Sequence, residues 1–552
     1  MKPLLTLHDP ARARAYHEAG LWTDAGFYAL LSGHAAARPD AHAARDANRR
    51  LTWAQLKAWV DAVAARLHAA GLEPGERVSL WASNRLDVVV AFLACCRNGY
   101  VCNPSLHQNY TADEVCALLE RIGAAGLVVE AGYGAAGDAR QAAALPQLKV
   151  ALTLSAAGAD GGDFPPPPAD DAGPAVDLPA PAAGADKVCY LAFTSGTTGL
   201  PKGVMHSDNT LLANARDLVR DWGHGPDTVL LSLSPLSHHI AWVALGQAVF
   251  AGAEFVVNDP PAGATALDWI VATGASYVMG VPTHAMDIQA EQRRRGLDRL
   301  GAVEVFYMAG APIPPAVAEA FVAQGIAPQN VYGMTENSSH QYTHPNDAPA
   351  HIVATCGRGG RAYEVRIFDQ DNADAELPAG RVGQIGGRGA ALMLGYFDNQ
   401  RATEESFNRD GWFLSGDLGV LDDDGHLAIV GRLKDMIIRG GRNIHPARIE
   451  DLAVKHPGVA KAAAFPVPDE RLGEKVCLAV LAADGADADA DALLAHLHDA
   501  GLSIYDMPEY FLVMDAFPLT ASGKILKREL TAWARDGELQ PQAVRFVAPD
   551  KR

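Results

Sequence analysis

From about residue 50 onward, short apolar runs alternate with longer amphipathic stretches. The runs include RVSLWAS at 77–83, AEFVVND at 253–259, SYVMGV at 276–281 and VEVFYMAG at 303–310. Their near-continuous apolar character is that of strands buried on both faces, and their alternation with helical patterns predicts an α/β architecture. A further run, KVCYLAF (Lys187–Phe193), precedes a glycine-rich stretch and then a helical pattern. Ser207 or Asp208 can cap that helix, and Leu211, Leu212, Ala215, Leu218, Val219 and Trp222 share one face. The order predicted here is strand, loop, helix.

Composition changes this picture twice. Between Ala131 and Asp186 the chain turns to Ala, Gly, Asp and Pro, including FPPPPADDAGPAVDLPAPAAG, and is expected to be a surface linker. Around GRLKDMIIRGGRNIHPARIE (Gly431–Glu450) a compact pattern begins. A helix from Pro446, strands at Val459–Val467 and Lys475–Ala482, a helix at Ala492–Ala500 and a strand at Tyr510–Met514 predict a small α+β domain of ordinary size. DGADADADA (Asp484–Ala492) lacks calcium-loop spacing and reads as a solvated turn.

The chain has 552 residues, too many for one core, and is 49% apolar and 20% charged. A net charge of −19 argues against nucleic acid and against anionic membranes, so an anionic ligand must be held by local groups. No signal-like apolar stretch opens the sequence, and the longest apolar run, Val88–Cys96, falls far short of a membrane span. Cysteines at 95, 96, 102, 116, 189, 356 and 477 form no CxxC pair. A cytoplasmic protein with reduced thiols, no membrane insertion and no nucleic-acid partner is expected.

The glycine-rich stretch is TSGTTGLPKGVMH (Thr194–His206). Exposed N–H groups, short hydroxyls and a lysine form a cradle for phosphate. It is not a Walker A loop, because Gly203 rather than Ser or Thr follows Lys202. Five more stretches accompany it in order: SPLSHHIAW (234–242), MAGAPIPP (308–315), VYGMTEN (331–337), SGDLG (415–419) and PLTASGKILKREL (518–530).

With Gly431–Glu450, these resemble the adenylate-forming superfamily of acyl- and aryl-CoA synthetases, carrier-protein-loading adenylation domains and beetle luciferases. The resemblance runs from about Gly26 into the C-terminal region. It implies an α/β fold with a large N-terminal domain (1–433) of layered α/β subdomains and a small β-barrel-like subdomain. A small, mobile α+β C-terminal domain (434–552) would follow. The activity implied is attack of a carboxylate on the α-phosphorus of ATP, giving acyl-AMP and pyrophosphate, then displacement of AMP by the thiol of coenzyme A.

The resemblance also distributes roles. Thr194, Ser195, Gly196, Thr197, Thr198, Gly199 and Lys202 would cradle the β- and γ-phosphates. Gly310, Ala311 and Pro312 would wall the adenine and Tyr332 stack on it, beside Gly333 and Met334. Thr335 would contact the α-phosphate, and Glu336 would hold Mg²⁺, an oxygen-seeking ion; a carboxylate at a helix start is the structural alternative. Asp417 would accept from the ribose hydroxyls, with Arg432 beside it. Lys524 would sit between carboxylate and α-phosphate and stabilise the transition state; the loop around it resembles sites of lysine acylation. Lys434 would be the hinge, and Gly440 and Gly441 would line a pantetheine tunnel.

His238, His239, Ile240, Trp242, Val278, Met279, Met308, Asn337, Ser338 and Ser339 are the candidate walls of the acid pocket. Their mixture of bulky and polar groups points to a short, alicyclic, aromatic or polar-substituted acid, since a buried polar group left unpaired costs about 1–3 kcal/mol. The alternatives are a ligase that loads a carrier protein and a non-catalytic nucleotide or acyl sensor. A homodimer is consistent with the family.

Overall fold

The computed structural model describes residues 2–135, 139–156, 162–168, 178–194, 201–311, 313–483, 485–486, 488–519 and 525–546. Contacts divide the chain into two units: Met1–Glu364 with Arg388–Ser406, and Val365–Gly387 with Phe407–Arg552.

The first unit carries two large sheets. The continuous apolar runs form their parallel interiors: Val229–Ser232, Tyr277–Gly280, Val305–Ala309 and Ala327–Met334 pair in parallel in an eight-stranded sheet. Arg77–Trp81, Val101–Asn103, Ala124–Glu130 and Val188–Thr194 do so in a six-stranded sheet. Helix Leu86–Asn98, buried at all thirteen positions, belongs to a core that draws side chains from both sheets, including Val78, Leu80, Leu230 and Tyr277. A helix without a polar face is stable only in such a place.

Each sheet has an antiparallel hairpin at one edge. In the six-stranded sheet Val188–Thr194 pairs with Lys202–Ser207, with Thr194 opposite Lys202. In the eight-stranded sheet Ala327–Met334 pairs with Ser338–Tyr342. The first hairpin corrects the expected strand, loop and helix. A second strand, Lys202–Ser207, intervenes before helix Asp208–Trp222, whose N-terminus Ser207 caps through Thr210 N–H. The outer edge of that strand is also occupied, by the segment around Tyr396, which bridges Val204.

The expected linker between Ala131 and Asp186 is in part structural. Val150–Leu154 pairs in parallel with Ala124–Glu130, and Trp59 Nε1 donates to the Pro165 carbonyl at 2.7 Å. The Arg97 guanidinium donates to Pro179 O at 3.1 Å. A few such anchors strap a proline-rich segment to a helical surface, because proline still offers its carbonyl. The N-terminal segment is also used: helix Pro10–Glu18 is capped by Asp9, Leu7 N donates to Leu394 O and Trp22 Nε1 to Ala390 O.

The second unit contains a four-stranded sheet ordered Tyr363–Phe368, Gly383–Gly389, Phe413–Leu421, Leu427–Arg432, although its first strand begins in the other unit. It also contains the α+β portion expected from the sequence. There Val459–Asp469 and Gly473–Ala482 make a long hairpin, Tyr510–Val513 adds in parallel, and helices Pro446–Ala453 and Ala490–Asp499 cover the apolar face. The loop around Asp484 lies partly outside the described residues.

All seven cysteines are free thiols, six of them buried. Burial raises the Cys96 thiol to about 11 and those of Cys356 and Cys477 to about 12. No helix among the described residues is long and apolar enough to cross a membrane.

Candidate active site

The tip of the glycine-rich stretch, Ser195, Gly196, Thr197, Thr198 and Gly199, lies outside the described residues, as do Pro312 and Lys524. Its base is anchored on both sides. Thr194 Oγ1 is 3.5 Å from the Lys202 carbonyl, and Arg121, from helix Ala112–Ile122, donates to the Pro201 carbonyl at 2.5 Å. Arg121 had no motif to mark it in the sequence.

The YGMTEN stretch is the turn of the second edge hairpin, so Glu336 is a turn residue and not a helix-start carboxylate. Asn337 shapes the turn by accepting from Met334 N–H at 3.0 Å and donating to Tyr363 OH at 3.2 Å. Gly333 is demanded by space: a Cβ there would lie 1.8 Å from the Ser338 carbonyl oxygen. Ser338 adopts φ +57°, a conformation uncommon for a residue with a side chain.

The two edge hairpins meet. His206, on the strand after the phosphate loop, donates through Nε2 to the Thr335 carbonyl at 2.6 Å, while Thr210 Oγ1 lies 2.9 Å from its Nδ1. A carbonyl only accepts, so the proton sits on Nε2, and the neutral ring takes its second bond from the Thr210 hydroxyl. Burial holds His206 neutral, lowering it to about 4. Met393 N–H donates to the Glu336 carbonyl at 2.7 Å, and Tyr396 OH donates to Glu336 Oε1 at 2.9 Å. The Lys202 ammonium sits 4.5 Å from the centre of the Tyr396 ring. Two candidates, Lys202 and Glu336, thus come together on Tyr396, a residue the sequence reading did not select.

Tyr332 is half-buried with its ring edge-on to His340, 5.4 Å away. Gly310 and Ala311 are exposed just past strand Val305–Ala309.

The acid-wall candidates fall into two groups. Trp242, Val278, Met279 and Met308 are core residues; the Trp242 ring packs 4.5 Å from Phe92 and its Nε1 donates to Leu236 O. Half-buried His239 has Tyr190 OH 3.2 Å from Nδ1 and Ser338 Oγ 2.9 Å from Nε2. Ser339 Oγ lies 2.6 Å from Tyr307 OH. These polar groups have protein partners, so the inference from unpaired groups to a polar acid has no force at His239, Asn337, Ser338 or Ser339. Burial, then nearby His206, holds His239 far below the usual imidazole range. His238, at the N-cap of helix His239–Ala251, has its ring 4.6 Å from and tilted to that of His107, an unanticipated neighbour lowered to about 4 by burial and by His238. Ile240 is half-buried against the core.

In the second unit, Asp417 and Arg432 face each other across adjacent strands, with Arg432 Nε donating to Asp417 Oδ1 at 2.9 Å. Asp417 is buried while Arg432 is exposed. Lys434 is exposed in the single turn Leu433–Asp435. Gly440 and Gly441, at φ +58° and +81°, form the two-residue loop between Ile437–Arg439 and Arg442–Ile444. Both signs are those of a type I′ turn, which alone would select glycine.

Cys96, Cys189 and Asp208 bring ligand-type atoms within 4.8 Å of one another. Asp208 is already engaged, accepting from Lys187 Nζ at 2.8 Å and Phe27 N at 2.9 Å, so an ammonium occupies the place a cation would take.

Residues 31–397 match the model of the AMP-binding enzyme family, and 448–524 that of the AMP-binding enzyme C-terminal domain. The chain is 34% identical over 494 residues to a feruloyl-CoA synthase of Amycolatopsis sp, covering 89% of this chain and 96% of the relative. It is 30% identical over 546 residues to the medium-chain fatty-acid–CoA ligase of Escherichia coli (strain K12), covering 96% and 93%. ATP-bound MatB from Rhodopseudomonas palustris superposes with a TM-score of 0.81 at 29% identity, covering 93% of this chain and 99% of that one. The chain belongs to the AMP-binding enzyme family, as an AMP-forming acyl-CoA synthetase of the adenylate-forming superfamily.

Proposed function

We propose that this enzyme joins a carboxylic acid to coenzyme A in two steps on one site. The acid's carboxylate oxygen attacks the α-phosphorus of ATP, and pyrophosphate leaves. The CoA sulfur then attacks the acyl carbon, AMP leaves with the bonding pair, and the thiol proton passes to solvent. ATP and CoA follow from the family. The observation that carries the residue assignment is the convergence of Lys202, Thr335 and Glu336 on two hydrogen-bonded edge hairpins.

In this reading Thr194, Lys202 and the loop between them hold the β- and γ-phosphates, and Tyr332 with Gly310, Ala311 and Pro312 holds adenine. Thr335 orients the α-phosphate. The Glu336 carboxylate is the hard oxygen donor that Mg²⁺ takes, and the ion would supply charge neutralisation on the phosphates. Asp417 accepts the ribose hydroxyls, supported by the guanidinium that fixes its Oδ1. Lys524 supplies the positive charge between the two reacting anions. Residues 434–552 act as a lid hinged at Lys434, with Gly440 and Gly441 beside the pantetheine arm.

The acid is short, alicyclic, aromatic or polar-substituted. Supporting this, Trp242, Met279 and Met308 are fully packed and leave no length for a long alkyl chain at their positions. The near-equal likeness to relatives named for feruloyl and for medium-chain fatty acids makes the panel of acids the deciding test. A cytoplasmic location is supported by the seven free thiols, and a homodimer is the assembly to look for by light scattering.

The experiment is pyrophosphate release with ATP, Mg²⁺ and short, alicyclic, aromatic and long-chain acids, with and without CoA, beside Lys524→Ala. CoA-stimulated turnover that Lys524→Ala abolishes is expected. Release held near one turnover with CoA would favour a carrier-protein acceptor, and none with any acid a sensor.

A further inference from the structure

We propose that Tyr396 is a positioning residue for the phosphate end of the site, its hydroxyl fixing the Glu336 carboxylate and its ring face seating the Lys202 ammonium. One side chain thereby holds both charged groups in place. This rests on the adenylation reading above.

The geometry supplies both halves. The Tyr396 hydroxyl donates to Glu336 Oε1 at 2.9 Å, and Lys202 Nζ lies 4.5 Å from the ring centre. A phenol presents a donor at its tip and a negative face, so one side chain can serve an anion and a cation at once.

Tyr396 itself is held fast. It is 5% exposed, its backbone bridges Val204, and its N–H donates to Thr403 Oγ1 at 3.0 Å. On either side Met205 N–H donates to Gly395 O and Phe397 N–H to Gly203 O. Met393, three residues earlier, fixes the Glu336 backbone. One short strip therefore grips the lysine-bearing strand and the glutamate-bearing turn together.

A cation on a ring face and a carboxylate on a neutral donor can each be exchanged for the phosphates and the ion of an incoming nucleotide, because such contacts are individually weak.

The test is calorimetric titration of the full chain with α,β-methylene-ATP plus Mg²⁺, and separately with AMP, for wild type, Tyr396→Phe and Tyr396→Leu. Loss of the hydroxyl in Tyr396→Phe should weaken the triphosphate analogue about tenfold. AMP, which lacks the β- and γ-phosphates, should stay within about twofold of wild type. Tyr396→Leu, which also loses the ring face, should weaken the analogue further. Unchanged analogue affinity in Tyr396→Phe overturns the proposal, and so does parallel loss of both ligands, which marks a folding defect. Wild type that binds neither nucleotide overturns the adenylation reading and this proposal with it.

Discussion

His206 donates its Nε2 proton to the backbone carbonyl of Thr335, 2.6 Å away, and so joins the strand leaving the phosphate loop to the turn before Glu336. The bond crosses 129 residues of sequence and connects the edges of two different sheets. The proposed phosphate cradle and the proposed metal carboxylate are linked through one imidazole.

Replacing that imidazole should therefore impair chemistry more than binding of the acid. His206→Phe leaves a buried carbonyl without its donor, worth about 1–3 kcal/mol, and kcat/KM for ATP is expected to fall about 10- to 100-fold. His206→Gln, which can still donate, should recover part of the loss. Pyrophosphate-release kinetics with thermal melting of each variant provides the check.

Acid should unfold the first unit early. His107, His206 and His224 are lowered to about 4 and His340 to about 3, each mainly by burial. The unfolded chain binds these protons near pH 6.5, while the folded protein refuses them until about 4, and at His340 until about 3. Stability is therefore unaffected above pH 6.5 and falls as pH drops through 6.5 to 4, by about 1.4 kcal/mol per unit for each group. Melting temperature against pH should show a steep acid limb, shallower in His224→Phe. That ring packs edge-on to Tyr277, 4.2 Å away.

Gly333→Ala has no room. Its Cβ would meet the Ser338 carbonyl oxygen at 1.8 Å, and backbone must move. A cost of about 2–4 kcal/mol is expected, with activity reduced further than stability because the displaced turn carries Thr335 and Glu336. Denaturant titration and turnover on one preparation separate the two effects.

Asp417→Ala should raise the KM for ATP about 100-fold, since the two proposed bonds from ribose to a charged acceptor would be lost. Arg432→Ala, which leaves the carboxylate but frees its Oδ1, should do less. Steady-state kinetics at saturating acid distinguishes them.

The sequence was most legible where chemistry or burial restricts the choice of residue. Continuous apolar runs such as Tyr277–Gly280 announced parallel strands, and the long hairpin Val459–Ala482 announced the α+β portion. KGVMHS gave no strand signal, because its pairing depends on Phe193 and neighbours on one side and on Tyr396 on the other, almost 200 residues away. Strand Val150–Leu154 was hidden by the proline- and alanine-rich composition around it. Arg121, His107 and Tyr396 could not be found by motif, since each acts on its site only through long-range contact. The polarity of His239, Ser338 and Ser339 was visible, but not that Tyr190 and Tyr307 already partner them.

The sealed thiols have a practical consequence. Six of seven are shut from solvent, and burial raises even the half-exposed Cys116 above its ordinary range. Out of solvent's reach, and with the Cys96, Cys102, Cys116, Cys189, Cys356 and Cys477 thiols raised by burial, these groups react poorly with maleimides. A single cysteine introduced on the exposed face of the 434–552 portion would then accept a fluorophore against a silent background. The proposed lid motion could be sought in the otherwise native protein, with no endogenous cysteine removed.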